Sequence, residues 1–232
     1  MRLPATTVSD VHLADAFAGP GCPLCAEVAR ADTGWLESIL SESVNDIPFR
    51  QAFDAARGFC RRHARETLDA DRRRSGSLGA AILLRATLAA RLRDLEAAHA
   101  AGGRTRARRV EAAARPPACP GCAREAATDA WLASAVVRLA ADPAWAEAAG
   151  RAPFCLDHLV ALVGERGGSP GWVAAEARQL ERLRGLRDLL DGYAHTSSYD
   201  RRHLQSDEQR AAVDATADLL AADTGRRGRR RA

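Results

Sequence analysis

Two stretches of this chain repeat one arrangement of metal-binding residue types. The first runs Cys22-Pro23-Leu24-Cys25, then 34 residues, then Cys60-Arg61-Arg62-His63. The second runs Cys119-Pro120-Gly121-Cys122, then 32 residues, then Cys155-Leu156-Asp157-His158. Together they use all six cysteines. Three thiolates and one imidazole form a closed tetrahedral ligand set, so the pattern predicts two structural zinc sites, one per copy. Cys-x2-Cys brings two sulfurs to one side of a tight turn. In Cys-x2-His the two ligands, three residues apart, share one face of a helix. A proline after the first cysteine suits the first helical position, where its missing N–H costs nothing. Each zinc is therefore expected to tie two helix N-termini together, whose dipoles favour a centre of net charge −1.

The copies agree beyond these eight residues. Trp131-Leu132 follows Cys122 almost as Trp35-Leu36 follows Cys25, one position closer. Asp142-Pro143 parallels the break at Asn45-Asp46-Ile47-Pro48, and Phe154-Cys155 parallels Phe59-Cys60. This predicts an internal duplication. The copies span residues 8–101 and 119–194, joined by a basic Gly/Pro linker at 102–118. A polar stretch and C-terminal helix follow at 195–222, and an Arg-rich tail at 223–232 is expected to be disordered.

The apolar content is dominated by Ala, Leu and Val, and aromatic residues are only 5%. Helical spacing recurs over 8–18, 23–44, 49–56, 60–68, 78–100, 172–193 and 206–222, and no strand pattern is seen. The first helix is expected to be capped by Ser9, and the 78–100 helix to turn Ile82, Leu88, Leu92 and Leu95 inward. The expected fold is thus all-α: two tandem zinc-stapled repeats packed as one unit.

All 34 basic residues are arginine and the formal net charge is +4. Two zinc ions bound to six thiolates would leave about +2, a weak charge for a polyanion binder. No apolar run in Met1–Thr7 reads as a signal peptide, and no stretch approaches the roughly 20 apolar residues of a membrane span. A cytoplasmic location is expected, where paired cysteines serve as metal or redox sites rather than disulfides.

Outside the zinc motifs the densest polar group is His195, Tyr199, Asp200 and Arg201, a candidate ligand or partner site. A helix end followed by a loop is the plainer account of it, because His and Arg near a helix C-terminus suit the dipole.

The duplicated Cys-Pro-x-Cys motif, Gly58-Phe59-Cys60-Arg61-Arg62-His63, the Val44-Asn45-Asp46 break and Tyr199-Asp200-Arg201 together resemble a family of bacterial proteins defined only as a domain of unknown function. The resemblance spans roughly residues 10–220. It implies the eight zinc ligands, gives weight to His195, Tyr199, Asp200 and Arg201, and carries no activity.

Four ligands per site leave no position for water, so hydrolysis at the metals is not expected, and no catalytic residue is assigned. The leading expectation is a non-enzymatic interaction or regulatory scaffold whose partner is another protein, with no membrane partner. One alternative is a thiol redox protein using the Cys-Pro-x-Cys pairs. Another is a nucleic-acid binder using the Arg-rich linker and tail.

Overall fold

The computed structural model describes residues 3–74, 76–101, 103–114, 119–165 and 168–220. Among them are eleven α-helices and no strand. The expected all-α class is what the chain forms. Contacts divide it into two compact units: a discontinuous one of Met1–Val28 and Asp129–Ala232, and a continuous one of Ala29–Thr128.

The discontinuous unit begins with α1 (Val8–Ala18). Its cap is Thr7 rather than Ser9. The Thr7 hydroxyl accepts from the Asp10 N–H at 3.1 Å, and the Asp10 carboxylate accepts from the Thr6 and Thr7 N–H groups at 3.1 and 3.0 Å. This reciprocal pairing satisfies donors that the first turn leaves open. The unit then takes the N-terminal turns of α2 (Pro23–Ser38) and the C-terminal part of α7 (Pro120–Leu139). After these come α8 (Pro143–Arg151), α9 (Leu156–Val163), α10 (Pro170–His195) and α11 (Asp207–Leu220).

Leu13, Leu24, Leu132, Trp145, Phe154 and Leu162 form the centre of its core. Phe17 from α1 meets Trp145 and Phe154 edge-on, with centroids 5.5 and 5.9 Å apart, a favoured aromatic arrangement. The Trp145 indole N–H donates to the Pro4 carbonyl at 2.8 Å, so the one polar atom of this buried ring is satisfied. Buried Gln179 on α10 donates to the Ala149 and Ala152 carbonyls at 2.7 and 2.8 Å. Those bonds secure the C-terminal end of α8, where carbonyls lack helical partners.

In the continuous unit α2 runs on into a π-helical turn over Ile39–Ser43, so the helix expected over 23–44 ends in a wider coil. Asp46 caps α3 (Ile47–Ala55) by accepting from the Phe49 N–H at 2.9 Å, with Pro48 in the first turn. The chain then turns through Arg57 and Gly58, both at positive φ. Gly58 has no alternative there, because a Cβ would lie 2.0 Å from the Thr87 hydroxyl.

The next helix, α4 (Arg61–Arg74), is longer than the sequence pattern suggests. Its polar end is held because buried Asp71 accepts from the Ala80 N–H at 2.8 Å, serving the open first turn of α5 (Leu78–Ala100). On α5 the inward face is Ala80, Leu83, Ala90 and Ala98, not Leu88, Leu92 and Leu95, which are exposed; Ile82 is half-buried. Small residues win that face because they let neighbouring helices approach closely. Phe53 and Phe59 stack edge-on at 4.8 Å in the core beside Leu36, Ile39 and Leu83.

Most of the expected linker is also helix. α6 (Gly103–Ala114) packs along α5, and its Ala, Arg and Glu content explains why a stretch read as connector coils instead. Pro116-Pro117 and the tail at 223–232 lie outside the described residues.

Candidate metal centres

Each of the four motifs opens a helix. Cys22 and Cys25 stand at the start of α2, and Cys119 and Cys122 at the start of α7. Cys60 precedes α4, and Cys155 is the N-cap residue of α9, which brings His63 and His158 into the respective first turns. The eight residues come together as two groups of three cysteines and one histidine, as expected in kind.

Their grouping is not the expected one. Cys22 and Cys25 join Cys155 and His158, while Cys119 and Cys122 join Cys60 and His63. The Cys-x2-Cys of one copy thus meets the Cys-x2-His of the other. Both groups nevertheless lie wholly within one unit, the first in the discontinuous and the second in the continuous unit. The expectation of one site per copy fails because 34 and 32 intervening residues fold into α2–α3 and α7–α8, and nothing in spacing alone says which Cys-x2-His a pair meets.

In the first group His158 Nδ1 lies 3.3, 3.3 and 3.1 Å from the sulfurs of Cys22, Cys25 and Cys155, and Cys25 and Cys155 are 3.7 Å apart. In the second, His63 Nδ1 lies 3.4, 3.5 and 3.5 Å from Cys60, Cys119 and Cys122, with Cys60 and Cys122 3.7 Å apart. An ion bound tetrahedrally at about 2.3 Å from sulfur and 2.0–2.1 Å from nitrogen requires about 3.8 Å between sulfurs and about 3.6 Å between nitrogen and sulfur. The second group matches that within about 0.2 Å, and the first is slightly tighter. None of the six cysteines forms a disulfide.

The electrostatics of the bare ligands point the same way. Hydrogen bonds from Cys155 and Cys25 lower the Cys22 thiol to about 3, whereas hydrogen bonds with Cys155 and Cys22 push the Cys25 thiol far up. Cys60 is likewise pushed far down, and Cys122 far up. Burial alone would depress His63, but hydrogen bonds to Cys119 and Cys60 outweigh it and raise the imidazole to about 10. Like charges this close cannot all ionise unaided; a divalent cation removes the conflict by stabilising every thiolate at once.

The surroundings differ between the groups. His158 Nε2 lies 3.0 Å from Asp129 Oδ1, the carboxylate partner that fixes a metal-binding imidazole's tautomer and orientation. His63 Nε2 makes no hydrogen bond and is 3.9 Å from Glu66, and buried Asp32 and Glu125 each bring a carboxylate oxygen within 4.8 Å of a ring nitrogen of His63. Glu125 is engaged by Arg62, which also pairs with Glu66 at 3.2 Å. Asp32 and Asp129 each stand seven residues past the second cysteine of their motif, a coincidence visible in the sequence but not used there. Gly121 is a further residue missed: a Cβ on it would sit 2.3 Å from the His63 ring, so only glycine lets α7 lie against the imidazole. Leu24, its counterpart in the first motif, is instead completely buried in the core.

A cavity of about 560 Å³ borders the first group, lined by Cys22, Cys25 and Cys155 together with Phe154, Arg182 and Asp218. Burial lowers the affinity of the Arg182 guanidinium for its proton, and its Nη1 donates to the Ala152 carbonyl at 3.4 Å.

The polar stretch forms the exposed end of α10 and the turn beyond it. Arg201 reaches His195 Nε2 at 3.1 Å and Ser198 Oγ at 2.9 Å, lies 3.8 Å from Asp200, and leaves the Tyr199 ring wholly in solvent. His195, Asp200 and Arg201 are thus gathered locally, while Tyr199 points away from them.

Among the described residues no helix is long and apolar enough to cross a membrane. No curated protein and no solved structure matches the chain. Residues 5–166, more than two thirds of the chain and all eight candidate ligands, match the Family of unknown function (DUF6062), a match that ends before His195. The chain belongs to this family.

Proposed function

We propose that this protein is a helical scaffold fastened by two structural zinc ions, working through protein contacts rather than through chemistry at its metals. The observation that carries the reading is the closed ligand set: three sulfurs and one imidazole nitrogen surround each centre at tetrahedral spacing, leaving no ligand position for water or substrate. Zinc suits this set because it prefers tetrahedral sulfur and nitrogen ligands and has no redox chemistry of its own. Each metal would join two helix N-termini whose own contacts are modest, supplying on the order of 10 kcal/mol to its unit.

A second reading has one observation in its favour. The cavity at Cys22, Cys25 and Cys155 gives an oxidant a route to the first group's sulfurs, as a thiol-based redox protein would need.

Metal analysis of protein purified without chelator, combined with thiol titration before and after denaturation, tests the proposal. Two zinc ions per chain, six protected thiols and unfolding on chelation are the expected results. No zinc, with cysteines oxidised in pairs, would overturn it. Release of one zinc by mild peroxide, with a Cys22–Cys25 disulfide, would favour the second reading.

A further inference from the structure

The second ring nitrogen of His63 makes no hydrogen bond, and the metal reading turns that into a question about its surroundings. Nδ1 lies among the sulfurs of Cys60, Cys119 and Cys122, so a metal bound there leaves the neutral ring's proton on Nε2. Nε2 is then a buried donor that requires an acceptor. Three carboxylates are near. Glu66 Oε2 is 3.9 Å from Nε2, and Asp32 and Glu125 each bring an oxygen within 4.8 Å of a ring nitrogen. Their places in the two motif copies separate them. Counted from the histidine, Glu66 corresponds to Ala161; counted from the second cysteine, Glu125 corresponds to Val28. Neither glutamate has a carboxylate counterpart, and both are engaged by Arg62, whose own counterpart is Asp157. Asp32 alone has one. It stands seven residues past Cys25 as Asp129 stands past Cys122, and Asp129 Oδ1 is the atom 3.0 Å from His158 Nε2.

We propose that Asp32 accepts the hydrogen bond from His63 Nε2 when the second centre holds its metal, as Asp129 does for His158. The crossing of the ligands then extends to the carboxylates behind them. α2 opens with the cysteine pair of the first centre and, two turns later on the same face, carries the carboxylate of the second. α7 does the reverse, with Cys119 and Cys122 in the second centre and Asp129 on the histidine of the first. Asp32 is a positioning residue, touching the histidine and not the metal. Its charge holds the ring in the tautomer that offers Nδ1 and makes that nitrogen a stronger ligand. Glu66 and Glu125 serve Arg62 instead.

The inference rests on the metal reading, and both are tested on full-length, zinc-loaded protein. In nitrogen-15 spectra of the wild type the His63 proton should sit on Nε2 and exchange slowly with solvent. Asp32→Asn should lower the second centre's zinc affinity about 10–100-fold in chelator competition and leave the first unchanged. It should also shift the His63 Nε2–H resonance, while Glu66→Gln and Glu125→Gln leave that resonance in place. Asp32→Glu, which keeps an acceptor on a longer side chain, should restore part of the affinity. A rapidly exchanging His63 Nε2–H in the zinc-loaded wild type overturns the inference, whether or not any variant folds. So does an affinity loss that follows either glutamate change but not Asp32→Asn. Wild-type protein without zinc would instead overturn the metal reading on which the inference rests.

Discussion

The crossed grouping of the ligands makes a prediction that ordinary single-site mutagenesis would miss. Cys22→Ser should leave one metal of two, whichever grouping is right. Paired substitutions separate the possibilities. Cys22 and Cys155 belong to one cluster, so Cys22→Ser with Cys155→Ser should still leave one metal, bound by Cys60, His63, Cys119 and Cys122. Cys22 and Cys60 belong to different clusters, so changing both should leave none. The energies make the contrast sharp. A structural site contributes on the order of 10 kcal/mol, comparable with the whole stability of a domain, so a unit with a broken site should lose its fold. A second change in the same site then has nothing left to remove, and the pair is strongly non-additive. Metal content by mass spectrometry of full-length protein, with helicity by circular dichroism, reads both quantities. One metal in the Cys22/Cys60 variant and none in the Cys22/Cys155 variant would refute the crossed grouping.

Three further outcomes follow from the same geometry. Asp129→Asn removes the charge 3.0 Å from His158 Nε2 and should weaken metal binding at the first centre by about 10–100-fold in chelator competition, leaving the second unchanged. Gly121→Ala should displace the His63 ring and lower the second centre's affinity selectively; equal affinity at both centres would show that the close approach has no consequence. Asp10 is buried, which alone would raise its pKa, but hydrogen bonds from Thr6 and Thr7 hold the carboxyl below its usual value. Its contribution is therefore present above the unfolded carboxyl's pKa and disappears as pH falls through the lower folded value. Asp10→Ala should cost about 1 kcal/mol in urea unfolding at neutral pH and less in strong acid.

The ligands, the helical class and most helix positions could be read from the sequence because they depend on local chemistry. Pro23 and Pro120 stand where helices begin, and the breaks read at Asp46 and Asp142 fall where α3 and α8 start, each capped in the structure by its aspartate. What could not be read depends on which distant surfaces meet. Cys22 and Cys60 are as plausible a pair as Cys22 and Cys155 until α2 and α9 are packed together. Likewise, the leucines of α5 have the right spacing for a core, and only the placement of Ala80, Leu83 and Ala90 against the neighbouring helices shows that another face was used. The helix over Gly103–Ala114 is hidden in the sequence because its arginines form helix readily yet also suit a solvated basic connector.

The two ligand sets are nested along the chain: 60–122 lies inside 22–158. A growing chain therefore completes its centres in a fixed order. The inner one can close once Cys122 has been made, while Cys22 and Cys25, the first thiols to emerge, wait for Cys155 and His158. At about 5–20 residues per second, the 36 residues from Cys122 to His158 take roughly 2–7 s to add. During that interval the earliest cysteine pair has no finished site to enter and is the part of the chain most open to stray metal or oxidation. A chain arrested between these points would carry one completed centre and two waiting thiols.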